Sequence, residues 1–162
     1  MSKKLKRGQY SKTKSAASNK QKIKKGLSKA EPITNSYYDK HPQWLFQRCD
    51  FEHDRWGMKS NIEHLPEYFK YLSNLENQLW GEILTTTSGR RSGTRNHNIS
   101  LSDLVSDAQK RAAEISIDDF EELCSIAINS RMRIWGYIAD GIFYIIWFDP
   151  EHEIYPTQKR HT

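Results

Sequence analysis

Four kinds of side chain in this sequence can hold a phosphate or move a proton without a metal: Arg, Lys, His and Tyr. They gather in three places. The first is residues 1–30, where Lys3, Lys4, Lys6, Arg7, Lys20, Lys22, Lys24 and Lys25 are among 11 basic residues and no acid precedes Glu31. The second is TTTSGRRSGTRNHN, residues 85–98, which sets Arg90, Arg91, Arg95 and His97 around two glycines. The third is the last part of the chain, where Arg131 and Arg133 precede an apolar run and Tyr155, Lys159 and His161 follow it. His152, Glu153 and His161 also invite a metal reading. Their spacing is not that of a helical HExxH site and the flanking prolines oppose a helix, so a chance cluster explains them better, and neither metal nor cofactor is expected. Cys49 and Cys124 lie in apolar patterns and read as buried thiols, too few for a disulfide framework.

The charge is unevenly divided. The chain has 25 Lys and Arg against 20 Asp and Glu, a formal +5. With 11 of those cations in residues 1–30, the rest keeps 14 basic and 20 acidic residues, a net of −6. The basic stretch has almost no apolar content and cannot offset its ordering entropy, so it reads as a disordered arm. A nucleic-acid-binding role follows from counterion release on meeting phosphates. A solubilising extension, or an arm folding back on an acidic body, is the plainer alternative. No apolar run approaches the ~20 residues that span a bilayer, and the basic start lacks a following apolar segment. The sequence therefore predicts a cytoplasmic protein with no membrane partner.

Residues 31–43 contain two prolines and read as a linker, leaving 44–162 as a single domain. Trp44 to His53 alternates loosely and predicts a strand. Leu65, Phe69, Leu72, Leu75, Leu79 and Ile83 form one apolar stripe, and Pro66 suits a first turn, so a helix is expected over 66–84. Residues 85–98 read as a loop, either tracking phosphates or simply solvated. A second helix is expected after Ser102 as N-cap, burying Leu104, Val105, Ala108, Ala112 and Ile115. Over 123–148 the period changes to two, and Asp140-Gly141 between two β-branched and aromatic runs is a hairpin signal. These last strands are apolar on both faces. The helices supply one cover; loops, the tail, a partner or a substrate must supply the other. The fold class is α+β: a strand, two helices, then a three-stranded antiparallel meander.

That order resembles the RelE/ParE-type toxin superfamily of bacterial toxin–antitoxin systems. The likeness is carried by Arg131 and Arg133 before Ile134-Trp135-Gly136-Tyr137, and by FYIIWFDPEHEIYP standing where the family has a strand, a turn and a terminal Tyr, with His152 and Tyr155 at the turn and terminal positions. The same C-terminal string also resembles a signature of small uncharacterised bacterial and phage proteins. The resemblance implies an RNA-binding or RNA-cleaving protein of a toxin–antitoxin or phage-defence system, a metal-independent endoribonuclease with an antitoxin partner. On that reading Arg133, Tyr155, Lys159 and His161 are the catalytic set, since cleavage needs the 2′-OH deprotonated, the phosphorane charge stabilised and the leaving oxygen protonated. Arg131 and the arm and loop cations would bind RNA. The structural alternative is that Arg133 packs across Trp135 or Trp147 and Tyr155 closes the core.

A non-enzymatic interaction protein with a basic nucleic-acid-binding arm is the competing class. In it the second face of the sheet, or the acidic rim of Asp149, Glu151 and Glu153, would bind a protein partner.

Overall fold

In the computed structural model, which describes residues 37–87 and 94–156, the chain reverses at Asp140-Gly141 as their residue types allow. Asp140 has φ 54° and Gly141 φ 87°, the left-handed pair that a two-residue hairpin needs. The turn joins β4 (Arg133–Ala139) to β5 (Ile142–Asp149), and β3 (Glu122–Ala127) lies antiparallel on the far side of β4.

The sheet is larger than a three-stranded meander. It has five strands in the order β1-β5-β4-β3-β2 and is mixed. At one edge β2 (His97–Ser100) runs antiparallel to β3; at the other β1 (Gln43–Leu45) runs parallel to β5. The class is α+β, with α1 (Leu65–Leu75), α2 (Trp80–Thr85) and α3 (Ser106–Glu114) completing it.

Four sequence expectations change at this level, each for a local reason. The strand expected from Trp44 to His53 stops at Leu45. Beyond it the Cys49 N–H donates to the Phe46 carbonyl at 2.9 Å, and the Asp50 carboxylate accepts from the Glu52 and His53 N–H groups at 3.1 and 3.2 Å, so the chain turns instead of extending. The helix expected over 66–84 is two helices. Leu79 is extended, with φ −88° and ψ 152°, and its N–H donates to the Glu82 carboxylate at 2.8 Å. That break lets the Trp80 N–H reach the Lys40 carbonyl at 2.9 Å and its indole reach the Gly141 carbonyl at 2.8 Å. The supposed loop 85–98 ends in strand β2, whose only buried side chain is Ile99. Ser102 caps no helix: its hydroxyl meets that of Ser100 at 2.9 Å, Leu101–Asp103 form a 3-10 turn, and α3 starts at Ser106.

Both faces of the sheet are covered by helices, not one. Tyr68, Leu72 and Leu75 of α1 and Trp80 and Ile83 of α2 pack with Cys124, Ile126, Ile134, Phe143, Ile145 and Phe148. Leu104 and the α3 residues Ala108 and Ala112 pack on the opposite face with Leu123, Trp135, Ile146 and Trp147, joined by Trp56 and Ile154. The two small residues let α3 lie close against large aromatic ones. A register shift between Trp135 and Gly136 makes this arrangement possible. Trp135 pairs Trp147 while Gly136 pairs Ile145, so Ile146 is the extra residue of a bulge and two consecutive side chains of β5 enter the α3 face.

Trp80 is the peg between helices and hairpin, fully buried and bonded to the turn. Trp80→Phe retains most of the packing and leaves the Gly141 carbonyl without its donor. The expected cost is about 1–2 kcal/mol, read as a lower denaturant midpoint with an unchanged slope.

Candidate nucleic-acid interface

The register brings the basic residues of three separate segments to one end of the sheet. Arg133 opens β4 and stands opposite Asp149, the last residue of β5, and opposite Ala127, the last of β3. Arg95 and His97 enter the same end along β2, where Asn96 accepts from the Ala127 N–H at 2.8 Å and Arg95 Nη2 donates to the Ile128 carbonyl at 3.0 Å. The tight segment between β3 and β4 is held by Asn129. Its side-chain oxygen accepts from the N–H groups of Arg131 and Met132, both at 2.8 Å, and its amide donates to Glu67 on α1 at 3.0 Å.

Arg133 is half-buried. Its Nη1 donates to the carbonyls of Asn129 and Met132 at 2.8 and 2.9 Å, which fixes the guanidinium plane; among the described residues its other nitrogens make no hydrogen bond. The bonds found for Arg133 are to the loop carbonyls, and the cation–ring contact seen among the described residues is that of Arg55 over Trp56. Asp149 is fully buried and serves the turn that follows it, accepting from the Glu153 N–H at 2.9 Å, the Ile154 N–H at 3.0 Å and the Trp135 indole at 3.4 Å. Burial nevertheless pushes its pKa above the usual carboxylate range.

That turn delivers His152, which the resemblance puts at the family's turn position but which was not among the expected catalytic residues. It has φ 58°, uncommon for a residue with a side chain, and is half-buried. Burial first, then the charges of Arg133 and His97, hold its pKa below the ordinary histidine value. It is therefore a neutral imidazole at pH 7 in the field of the Arg133 guanidinium, able to accept a proton. Tyr68 is the second group that pattern-reading missed, since it lies on the helical face of α1 as a core residue. It is fully buried, its hydroxyl has no hydrogen-bond partner among the described residues, and burial followed by Asp149 and Glu67 raises its pKa.

Of the expected catalytic set, only Arg133 and Tyr155 lie within the described residues. Tyr155 packs beside the α3-side cluster, after Ile154, whose carbonyl accepts from the Val105 N–H at 3.0 Å. None of its described contacts joins it to Arg133. Lys159 and His161 lie outside the described residues, as do Arg90, Arg91 and the arm residues Lys3 to Lys25. Arg131 is exposed and paired with Glu151. Among the described residues no cluster of three or more His, Cys, Asp or Glu side chains could hold a metal ion, and no helix is long and apolar enough to cross a membrane.

A second polar cluster looks site-like but is fully engaged. The Asp50 carboxylate, 5% exposed, takes Arg111 Nε at 2.7 Å and Nη2 at 2.9 Å, the Trp147 indole at 3.1 Å and the two N–H groups of its own turn. No acceptor capacity is left for a ligand, so this is a brace between the 50–57 loop, α3 and β5. Arg111 of α3 is that brace's cation.

The chain matches no protein-family model, no curated protein and no solved structure.

Proposed function

We propose that this chain is an RNA-binding protein of RelE-like type, whose phosphate site is the sheet end formed by Arg95, His97, Arg133 and His152. Metal-independent phosphodiester cleavage is the chemistry that site suits. The observation that carries the reading is the convergence of two arginines and two histidines from β2 and the residues just before it, β4 and the turn after β5, on a domain whose residues after 30 have a net charge of −6. Arg133, its plane fixed by the loop carbonyls, would hold the phosphate and offset the phosphorane charge. Neutral His152 would take the 2′-OH proton and return it to the leaving oxygen. A toxin role, with an antitoxin as protein partner and the arm adding affinity, is the finer form of the proposal.

The test separates binding from chemistry. Arg95→Gln with Arg133→Gln should lower the salt slope of single-stranded RNA binding by about 1 per residue, with the melting temperature followed as a fold control. His152→Asn, which tolerates the left-handed backbone, should retain binding and abolish cleavage in chelator. An unchanged salt slope in a folded double variant would sink the phosphate assignment.

The non-enzymatic interaction reading rests on a different surface, a half-exposed row of aromatic rings near the hairpin.

A further inference from the structure

On the α3 side of the sheet, Phe120, Tyr137 and Tyr144 form one stack. Phe120 and Tyr137 have ring centroids 4.4 Å apart and planes 29° apart; Tyr137 and Tyr144 are 4.7 Å apart and nearly parallel at 4°. All three rings are half-buried, unlike Trp135 and Trp147 on the same face, which are fully buried. Tyr137 pairs with Tyr144 across β4 and β5, and Leu45 pairs with Tyr144 from β1, so the row continues to an aliphatic side chain that is 36% exposed. Among the described residues no helix packs on this part of the face.

The other end of the row is acidic. Phe120 lines an open depression of 660 Å³ together with Asp118, Asp119, Glu121 and Glu122. All four carboxylates belong to exposed residues, and among the described residues none is paired with a cation. Phe120 and Glu122 also line a neighbouring depression of 320 Å³ with Tyr37 and Tyr137. Within the stack the rings face one another, so the faces left to attract a cation through the ring quadrupole are the outer ones of Phe120 and Tyr144. Carboxylates beside them raise the local concentration of positive groups and repel phosphate. Along β4 this row is four residues from Arg133, about 13 Å at strand rise, so the two surfaces are distinct and of opposite sign.

We propose that this face docks a lysine- or arginine-rich segment of a partner protein, cationic head groups lying against the outer ring faces at the two ends of the Phe120–Tyr137–Tyr144 stack and against the Asp118–Glu122 carboxylates. The charge complementarity selects that occupant over RNA, whose bases could stack on the rings but whose phosphates would face four carboxylates. It also selects it over an apolar partner, which would leave those carboxylates beside a dry interface.

The experiment uses the full chain and fluorescein-labelled oligolysine and oligoglutamate peptides, read by anisotropy. Oligolysine should bind, less tightly as salt rises, and oligoglutamate should not. The quadruple variant Asp118→Asn, Asp119→Asn, Glu121→Gln, Glu122→Gln, all at exposed positions and thus safe for the fold, should weaken oligolysine binding by about 10-fold or more. Tyr144→Leu keeps an apolar side chain and removes the π face; it should weaken binding by about 3-fold. The Arg95→Gln, Arg133→Gln variant should bind oligolysine as the wild type does. Equal binding of oligolysine by the quadruple variant and the wild type would overturn the proposal. So would oligoglutamate binding as well as oligolysine, or single-stranded RNA binding that is lost in Tyr144→Leu. Concentration-dependent self-association lost in the quadruple variant would assign the face to a second copy and overturn it too.

Discussion

Arg111→Leu is expected to lower the melting temperature by about 10–20 °C. The guanidinium is the only cation bonded to the Asp50 carboxylate among the described residues, through two nitrogens at 2.7 and 2.9 Å. Removing one partner of a buried pair leaves the other charge without compensation, at a cost of about 3–5 kcal/mol. For a folded body of this size each kcal/mol is worth about 4 °C. Replacing both Asp50 and Arg111 by Leu should cost less than Arg111→Leu alone, because no bare carboxylate remains. The pH dependence has a definite sign. Burial alone would raise the Asp50 pKa, but the Arg111 bond, the Glu52 N–H and the Trp147 indole together bring it down to about 2. A carboxylate depressed in the folded state stabilises it above its unfolded pKa of about 4 and loses that contribution as pH falls toward 2. The wild type should therefore show an acid limb between about pH 4 and 2 worth about 2 kcal/mol, and Asp50→Asn should flatten it. Thermal melts across that range, for the four chains side by side, check both statements.

Gly136→Ala should be the most damaging single-methyl change in the sheet. A Cβ on Gly136 would meet the Tyr144 carbonyl oxygen at 2.1 Å and two carbons of the Phe143 ring at 2.8 Å. The carbonyl belongs to the paired strand and the ring is fully buried, so neither can yield without opening the bulge beside it. We expect a loss above about 3 kcal/mol, at the high end for overpacking, seen as low soluble yield and early chemical unfolding. Gly81→Ala supplies the contrast. Its nearest neighbour is the Tyr38 carbonyl oxygen at 3.4 Å, an ordinary contact, and it lies inside α2. There alanine should be neutral or stabilise by up to about 1 kcal/mol.

What could be read in advance divides along physical lines. The strands around Asp140-Gly141 and the buried face Leu104, Ala108, Ala112 were legible because local chemistry and periodicity agree with the tertiary fold. The break at Leu79 was not, because the apolar stripe runs through it in sequence. The helix stops because the Trp80 indole bonds the Gly141 carbonyl, the Trp80 N–H the Lys40 carbonyl and the Glu82 carboxylate the Leu79 N–H. Strand β2 was hidden by its polar sequence, His97-Asn98-Ile99-Ser100, which an edge strand can afford since one side chain suffices to anchor it. The fifth strand, β1, is short and parallel, and nothing in Gln43-Trp44-Leu45 says that its partner lies a hundred residues away. Of the candidate site, Arg95, His97 and Arg133 could be singled out by type. Their meeting depends on the register of β2, β3 and β4, and His152 joins them only because a turn after Asp149 puts a non-glycine residue at φ 58°. No pattern of residues announces either fact.

The most direct test of the RNA reading is a backbone amide chemical-shift titration of the full chain with a short single-stranded RNA. The largest shifts within the folded body are expected at Arg95, His97, Ala127, Arg133 and the 150–154 turn, diminishing as salt rises, with Phe120, Tyr137 and Tyr144 unmoved. Shifts confined to those three aromatic residues, or none in the folded body at saturating RNA, would contradict it.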